Sequence, residues 1–245
     1  FSLYQSSADA RTHGHTRWLL GKFDVTNPRI ISSIFRGFGF VAIQPTNREL
    51  ALKTFEGRSM MRLSDLRAAG VTSVTLRRMQ DAGEIVKLGR GVYQIANADY
   101  TAEHSLAEAA LRVPNGVVCL VSALAYHGLT DQMPSKVWMA IGHKAWSPTT
   151  SSPPLRIVRF ADNLLTESVD TVVIEDVSVR IFGVAKTVAD SFRHRRSIGL
   201  AVALEGLQEA LRQRKAAPSE ILAAAERGRV GTIVRPYLTA MTANG

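Results

Sequence analysis

The chain has 245 residues, of which 46% are apolar, and it carries 30 Lys and Arg against 21 Asp and Glu. This composition excludes wholesale disorder and collagen-like repeats. Since no run of about 18 uncharged apolar residues occurs, neither a transmembrane helix nor a membrane partner is expected. The single cysteine, Cys119, excludes an internal disulfide framework and a multi-cysteine zinc site, and it fits a reducing cytoplasm. The formal net charge of +9 is consistent with a polyanionic partner but does not identify it.

Residues 1–45 show weak hydrophobic periodicity and scattered His, Gly and Ser residues. Since the chain opens on Phe1 and the first methionine is Met60, residue 1 is not expected to be the natural initiator. His13 and His15 lack the Cys or carboxylate partners that a metal site requires, so no metal is predicted here. The segment is expected to be an accessory or poorly ordered extension, with no function assigned and no features of a secretory signal.

The positive charge is concentrated in one short segment. Residues 58–95 carry 7 basic and 3 acidic side chains, whereas the 150 residues that follow carry 16 basic and 14 acidic ones. A basic segment can be no more than a solvated face, so the charge needs a motif before it indicates a nucleic-acid partner.

Residues 46–97 have the pattern of a winged helix-turn-helix, which is the DNA-binding domain that the sequence predicts. A first helix over 48–55 has Asn47 as its expected cap. A second, short helix has Ser64 as its expected cap and ends at Gly70.

A third helix follows the tight turn. Thr72 or Ser73 is its expected cap, and Leu76 and Met79 are spaced to face the core. The outer side of its first turns then presents small polar residues and arginines, which suits reading of the major groove. Hydroxyls can bond phosphates or bases, and an arginine can fork onto a guanine edge.

Two β-rich runs, 84–88 and 92–95, are joined by a glycine-containing turn and predict a hairpin wing. Lys87 on the first strand and Arg90 at the tip are placed to touch phosphate or a minor groove. Three helices and a hairpin can instead form a protein-interaction module, and this alternative stays open. The residues expected to bind DNA are Ser73, Val74, Thr75, Arg77, Arg78, Lys87 and Arg90.

Residues 98–245 are predicted to form a mixed α/β domain with a helical C-terminus. Strands come first and helices last, so the fold class of the protein is expected to be α+β. The expected strands are 117–121, 137–141, 155–160, 171–174 and 177–182. The expected helices are 101–111, a short one after its cap Ser122, then 184–195, 199–214, 219–227 and 232–241.

No catalytic, cofactor or metal site is predicted in this domain, and the protein is expected not to be an enzyme. Ser122 lacks the glycine frame of a nucleophile elbow. Cys119 lies in an apolar run typical of a core, and His127 fits a structural role at the end of a helix. Glu175 and Asp176 share a turn but lack the further carboxylate and lysine of a metal-dependent nuclease. Neither metal-ligand spacing nor a phosphate-cradling glycine loop occurs.

The chain from about Asn47 to Gly245 resembles the AbiEi-type antitoxins of type IV toxin–antitoxin and abortive-infection systems. The first forty-odd residues fall outside this resemblance. The ordered combination of the matching stretches is what makes it specific, since the wing motif alone is weak. Those stretches are Met60–Leu66, Leu88–Tyr93, Cys119–Thr130, Pro134–Ile141, Leu155–Phe160 and Val184–Asp190.

The resemblance implies a winged-helix domain that binds repeats of double-stranded DNA in its own promoter and represses the operon. It implies an antitoxin domain that counters a nucleotidyltransferase-like toxin, in the usual description without a stable complex. It supplies no catalytic residue. Two other functions stay open: a module that binds a toxin directly, and a DNA nuclease targeted by its winged domain.

Overall fold

The computed structural model describes residues 45–98, 101–147 and 153–243, which belong to one compact unit. Apart from Pro45, the extension expected over 1–45 lies outside the described residues. The boundary expected between residues 97 and 98 stays a prediction. Along the described chain, helices and strands alternate and share cores, so the α+β fold class is confirmed. No described helix has the length and apolarity needed to cross a membrane.

The first part of the described chain, here called the wing module (residues 47–95), contains the three helices and the hairpin that the sequence predicts. It also contains a short strand before the second helix, which was not predicted. Its three strands form an antiparallel sheet in the order β1-β3-β2. The elements are α1 (Asn47–Phe55), β1 (Met60–Arg62), α2 (Leu63–Ala68), α3 (Ser73–Asp81), β2 (Ile85–Gly89) and β3 (Val92–Ile95).

Two of the expected helix caps in this module are wrong, and one is confirmed. Thr46, not Asn47, caps α1, in a reciprocal box with Glu49. Ser64 lies inside α2, which begins one residue earlier and has no side-chain cap. Thr72 caps α3 as expected, because its hydroxyl accepts a hydrogen bond from the backbone N–H of Thr75.

Asn47 instead fixes the turn between α2 and α3. Its amide donates to the carbonyl of Gly70 at 3.1 Å, and its oxygen accepts from the N–H of Thr72 at 2.9 Å. Both bonds cross more than twenty residues of sequence, which is why a local pattern assigned this side chain to its own helix.

The second part, here called the C-terminal module (residues 104–243), is built on a mixed five-stranded sheet in the order β6-β5-β4-β8-β7. Its first elements are α4 (His104–Arg112), β4 (Val117–Val118), α5 (Leu120–Tyr126), β5 (Val137–Gly142), β6 (Leu155–Phe160), β7 (Val169–Ile174) and β8 (Val177–Phe182). The helical end comprises α6 (Val184–Arg193), α7 (Arg195–Ile198), α8 (Leu200–Arg212), α9 (Pro218–Arg227) and α10 (Gly231–Ala243).

The two faces of this sheet bury different partners. One face packs on α5 and on the helical end, with Phe160, Phe182 and Phe192 in that core. The other face packs on α4, with Val118 and Met139 in that core. Since successive strand residues point to opposite faces, each central strand supplies both cores.

The strand expected over 117–121 is shorter than predicted. It ends at Val118, and Cys119 is the residue before α5, fully buried. Ser122 is therefore not a cap but lies within α5, where its hydroxyl accepts from the N–H of Trp138 at 3.0 Å. This bond ties α5 to β5, and it explains why a serine is buried here.

A buried ion pair lies in α6. Lys186 and Asp190 are one turn apart, with Nζ and Oδ2 separated by 2.9 Å and both side chains buried. The ammonium also lies 4.4 Å from the centre of the Phe182 ring. Burial raises the pKa of the Asp190 carboxyl, and the charge of Lys186 opposes that rise. The two charges are thus mutually dependent in a core that is mostly apolar.

Replacement of Asp190 by Ala should leave the Lys186 ammonium buried without its partner. We expect the free energy of unfolding, measured by urea titration, to fall by about 3–5 kcal/mol. The double variant Lys186→Met/Asp190→Leu removes both charges at similar volume and should recover most of that loss. A double variant as unstable as the single one would contradict this account.

The capping assignments give a matched pair of variants. Thr72→Ala removes the cap of α3 and should lower the free energy of unfolding by about 1 kcal/mol. Ser64→Ala removes an exposed hydroxyl that caps nothing and should change it by less than about 0.5 kcal/mol. Denaturant titration of both variants checks this, and equal losses would refute the assignment of Thr72 as the cap.

Candidate nucleic-acid interface

The third helix of the wing module separates a core face from an outer face. Leu76 and Met79 are fully buried against α1 and the wing, as their spacing predicts. On the outer face, Val74 has 61% of its surface exposed, a large fraction for an apolar side chain. The polar candidates of this helix are also at the surface: Ser73, Arg77 and Arg78 are exposed, and Thr75 is half-buried.

The start of α3 carries a hydroxyl and guanidinium cluster. The Oγ of Ser73 accepts from Nη2 of Arg67 at 3.1 Å, so the serine keeps its own proton to donate to a base or phosphate. The hydroxyls of Thr72 and Thr75 lie 2.9 Å apart and share a hydrogen bond. Thr75 therefore supports the helix start more than it faces outward.

Arg67 is a candidate contact that sequence reasoning missed. It is exposed in the last turn of α2, and the bond to Ser73 places its charge beside the start of α3. The only sequence signal was its position three residues before Gly70, where the turn brings the two helices together.

The wing holds the remaining two candidates. Lys87 lies on β2 and Arg90 in the tight turn, and both are exposed. Gly91 has a φ of +74°, a conformation that glycine adopts without strain. The carbonyl of Gly91 accepts from the N–H of Leu63 at 2.8 Å, which fixes the wing tip to the start of α2.

Helix α3 and the wing are therefore separate elements held by one core. Leu76 and Met79 of α3, together with Ile85 and Tyr93 of the wing strands, belong to the same apolar cluster. The structure places four candidates on the outer face of α3 or next to it and two on the hairpin, and Thr75 faces Thr72.

The cations of this surface are not neutralised by neighbours. Within residues 45–98, the only ion pair joins Arg48 to Glu84 at 2.9 Å. No described carboxylate forms an ion pair with Arg77, Arg78, Lys87 or Arg90. Uncompensated, exposed guanidinium and ammonium groups are what phosphate contacts require.

The wing is anchored to the C-terminal module by Arg112 of α4. This guanidinium bonds the carboxylate of Glu108, one turn earlier, with Nε 3.0 Å from Oε1, and also donates to the carbonyl of Leu88 in β2. A side chain on Gly89 would collide with the guanidinium, so the glycine is what allows this approach. A charged pair buried in this way restrains the base of the wing.

Glu175, which sequence analysis considered for a nuclease, is a joint between the two modules. Its carboxylate accepts from the N–H of Thr101 at 2.8 Å and from Ser59 Oγ at 3.2 Å, and it lies 2.9 Å from His104 Nδ1. Burial raises the pKa of the Glu175 carboxyl, but these hydrogen bonds outweigh burial, so the pKa lies below its usual value. With both oxygens engaged, this carboxylate is arranged as a structural acceptor.

The other residues considered for chemistry have structural surroundings. Burial raises the pKa of the Cys119 thiol well above its usual value, which disfavours the reactive thiolate. His127 bonds the carbonyl of Phe182 through Nε2 at 2.8 Å, and burial lowers its pKa. Within the described part of the chain, no three His, Cys, Asp or Glu side chains come together as a metal site would need.

Comparison with known protein families concerns the wing module. The sequence model of a family described as a transcriptional regulator, AbiEi antitoxin, matches residues 52–96. That segment contains the helix-turn-helix and the wing, so the resemblance drawn from the sequence is confirmed there. The family is one of regulators rather than of enzymes.

Comparison with solved structures concerns the fold. No curated protein matches the chain. Three solved chains match it. One is the crystal structure of the RV2827C protein from Mycobacterium tuberculosis, at 14% sequence identity and a TM-score of 0.54, covering 74% of this chain and 72% of that chain. At this identity the likeness shows a shared fold and nothing about function.

The joint at Glu175 predicts a dependence of stability on pH. Because the folded pKa is lowered, the stabilisation is present above the usual carboxyl pKa of 4.5 and is lost as pH falls through the folded pKa. Glu175→Gln should lower the urea midpoint at pH 7 and flatten its decline below about pH 4.5. Asp176→Asn, at the adjacent exposed turn residue, is the control and should keep the parental slope. Parental behaviour of Glu175→Gln would exclude this carboxylate as the source.

Proposed function

We propose that this protein is a non-enzymatic, DNA-binding transcriptional regulator and antitoxin, which binds its own promoter and represses its operon. The observation that carries this is the outer face of α3, where Ser73, Arg77 and Arg78 are exposed without carboxylate partners. The face belongs to the segment that matches the antitoxin regulators. A surface helix whose arginines have no ion-pair partner among the described residues, and whose first turn is held by hydrogen bonds, suits binding in the major groove.

Six of the seven candidates, together with Arg67, then have a physical role in binding DNA. Arg77 and Arg78 reach guanine edges or phosphates, and exposed Val74 supplies an apolar contact that a thymine methyl fits. Ser73 donates its hydroxyl proton, and Arg67 beside it contacts the backbone. Lys87 and Arg90 place the wing on a neighbouring stretch of phosphates or in the minor groove.

The C-terminal module carries the antitoxin role in this proposal. The resemblance to AbiEi-type antitoxins suggests a nucleotidyltransferase-like toxin, countered without a stable complex. Both oxygens of the Glu175 carboxylate are occupied by Thr101 and His104. This disfavours the nuclease alternative, since a carboxylate that binds a metal needs a free oxygen.

One observation favours direct binding of a toxin as a second candidate. An open cavity of about 290 Å³ is lined by Leu106, Tyr126, Pro134 and Val137, and Met133 on its rim has 88% of its surface exposed. Exposed methionine and aromatic residues are common in protein interfaces. Copurification of a stoichiometric toxin with the full chain would support this candidate.

Salt-titrated binding to the DNA upstream of the reading frame tests the regulator proposal, with a scrambled duplex as control. We expect binding to be about a thousandfold tighter on the upstream DNA. Arg77→Ala or Arg78→Ala should weaken specific binding by about 5- to 150-fold and reduce this preference. Arg90→Ala should weaken both duplexes alike and lower the log–log salt slope by about one.

Lys136→Ala serves as the control variant, because it removes an exposed cation in the C-terminal module, outside the proposed contact surface. It should bind both duplexes like the parent protein. If Arg77→Ala, Arg78→Ala and Arg90→Ala all bind like the parent as well, then the proposed DNA contact surface is wrong.

A further inference from the structure

A groove lies between the wing tip and the C-terminal module, and none of the described residues that line it is acidic. It has a volume of about 430 Å³. The wing module contributes Arg62, Ser64 and Arg90 to it, and the C-terminal module contributes Arg112 and Trp146. Since Arg90 is also the proposed contact at the wing tip, the groove continues the DNA-binding surface.

Trp146 gives this groove an unusual wall. Its side chain has 72% of its surface exposed, whereas Trp138 in β5 has 8%. It lies in the loop that follows β5, and an arginine of the neighbouring strand holds that loop by hydrogen bonds. Arg159 of β6 donates to the carbonyls of Gly142 at 3.0 Å, His143 at 2.6 Å and Ala145 at 3.0 Å. The backbone directly before the exposed indole is therefore held by hydrogen bonds.

The groove extends past Trp146 towards Lys144. A second cavity of about 460 Å³ shares Arg112, Pro114 and Trp146 with the first, and Lys144 lines it. Lys144 is exposed, and no described carboxylate forms an ion pair with it. Among the described residues that line this second cavity, Asp162, beside Gly142, is the one acidic side chain. The two cavities thus form one continuous, mainly cationic groove that runs from the wing tip to Lys144.

Arg62, inside the groove, lacks a full set of partners. Its Nη2 donates to the carbonyl of Ala110 at 3.0 Å, and its buried Nε has no hydrogen-bond partner among the described residues. Burial lowers the pKa of this guanidinium, with Asp65 acting in the opposite direction. An anion in the groove would stabilise the charge of this guanidinium, because its neighbours compensate that charge only partly.

We propose that the operator duplex, where it continues beyond the wing tip, lies along this groove, with Arg90, Arg62 and Lys144 at its phosphates and Trp146 against its sugar edge. The inference rests on the proposed DNA-binding function and extends it to the C-terminal module. A buried small-molecule pocket would enclose most of its ligand. A groove this open, with a largely exposed indole, fits a polymer backbone instead. The contacts are independent of base sequence, so they lengthen the site and steepen its salt dependence.

A series of duplex lengths tests this with the full chain. The upstream DNA is first trimmed to the shortest duplex that keeps specific binding, and is then extended by about one helical turn, roughly 10 bp, on each side. On the extended duplex, Trp146→Ala and Lys144→Ala should weaken binding about fivefold, and Lys144→Ala should lower the salt slope by about one. On the trimmed duplex both variants should bind like the parent protein.

Lys136→Ala is a matched control for Lys144→Ala. Lys136 is the exposed residue just before β5, and Lys144 follows its other end, so a six-residue strand of about 20 Å separates them. The control should bind both duplexes like the parent. Trp146→Ala should also keep the parental unfolding midpoint, since the side chain is mostly exposed.

Tryptophan fluorescence gives a second readout. The chain has 3 tryptophans, of which Trp138 is buried. The extended duplex should quench the tryptophan emission of the parent protein. In Trp146→Phe, addition of the duplex should cause little quenching. Retention of the full change in Trp146→Phe would overturn the proposal.

The outcomes separate the two proposals. If Trp146→Ala and Lys144→Ala bind the extended duplex like the parent while Arg77→Ala and Arg90→Ala weaken it, the groove is not a DNA contact and the proposed function stands. If none of these variants weakens binding, the DNA-binding function itself fails.

Discussion

The structure depends on α4 being packed between two sheets. Leu106 and Ala110 of this helix are buried in a core that also contains Val179 of the C-terminal sheet and Met60 of the wing sheet. Without α4 one face of the five-stranded sheet would lie open, and the wing sheet would lose the surface on which it rests. Burial of apolar area, at roughly 25 cal/mol per Å², is the largest favourable term available to hold the two modules together.

Hydrogen bonds fix the relative orientation of the two modules, which apolar packing alone does not. Arg112 donates a hydrogen bond to the carbonyl of Leu88 at the base of the wing. Glu175 accepts hydrogen bonds from Thr101 and Ser59 at another point of the boundary between the two modules. The proposed DNA-binding surface is therefore carried by a structural unit that includes the C-terminal sheet. A change in that module would reach the wing through these bonds, so the proposed regulator and antitoxin roles would be physically connected within one chain.

Much of the fold could be predicted because its signals are local. The positions of Leu76 and Met79 followed from a period of 3.6, the wing from two β-rich runs around a glycine turn, and the C-terminal helices from periodicity. The candidate site was predicted as a set of surface residues, but their partners were not. Arg67 was missed because its link to Ser73 depends on how two helices meet, and Asn47 was assigned to a cap although it bridges a distant turn.

The sequence by itself determined most of the elements, which faces are apolar and where positive charge accumulates, since these depend on neighbours a few positions away. It did not predict the short strand β1, which forms only by pairing with β3. The tertiary structure alone decided that Glu175 joins the two modules, that Ser122 bonds Trp138, and that Trp146 and Arg90 line the same groove. Such arrangements join residues 16 to 116 positions apart. Their geometry is set by the packing of sheets on α4, which no local period encodes.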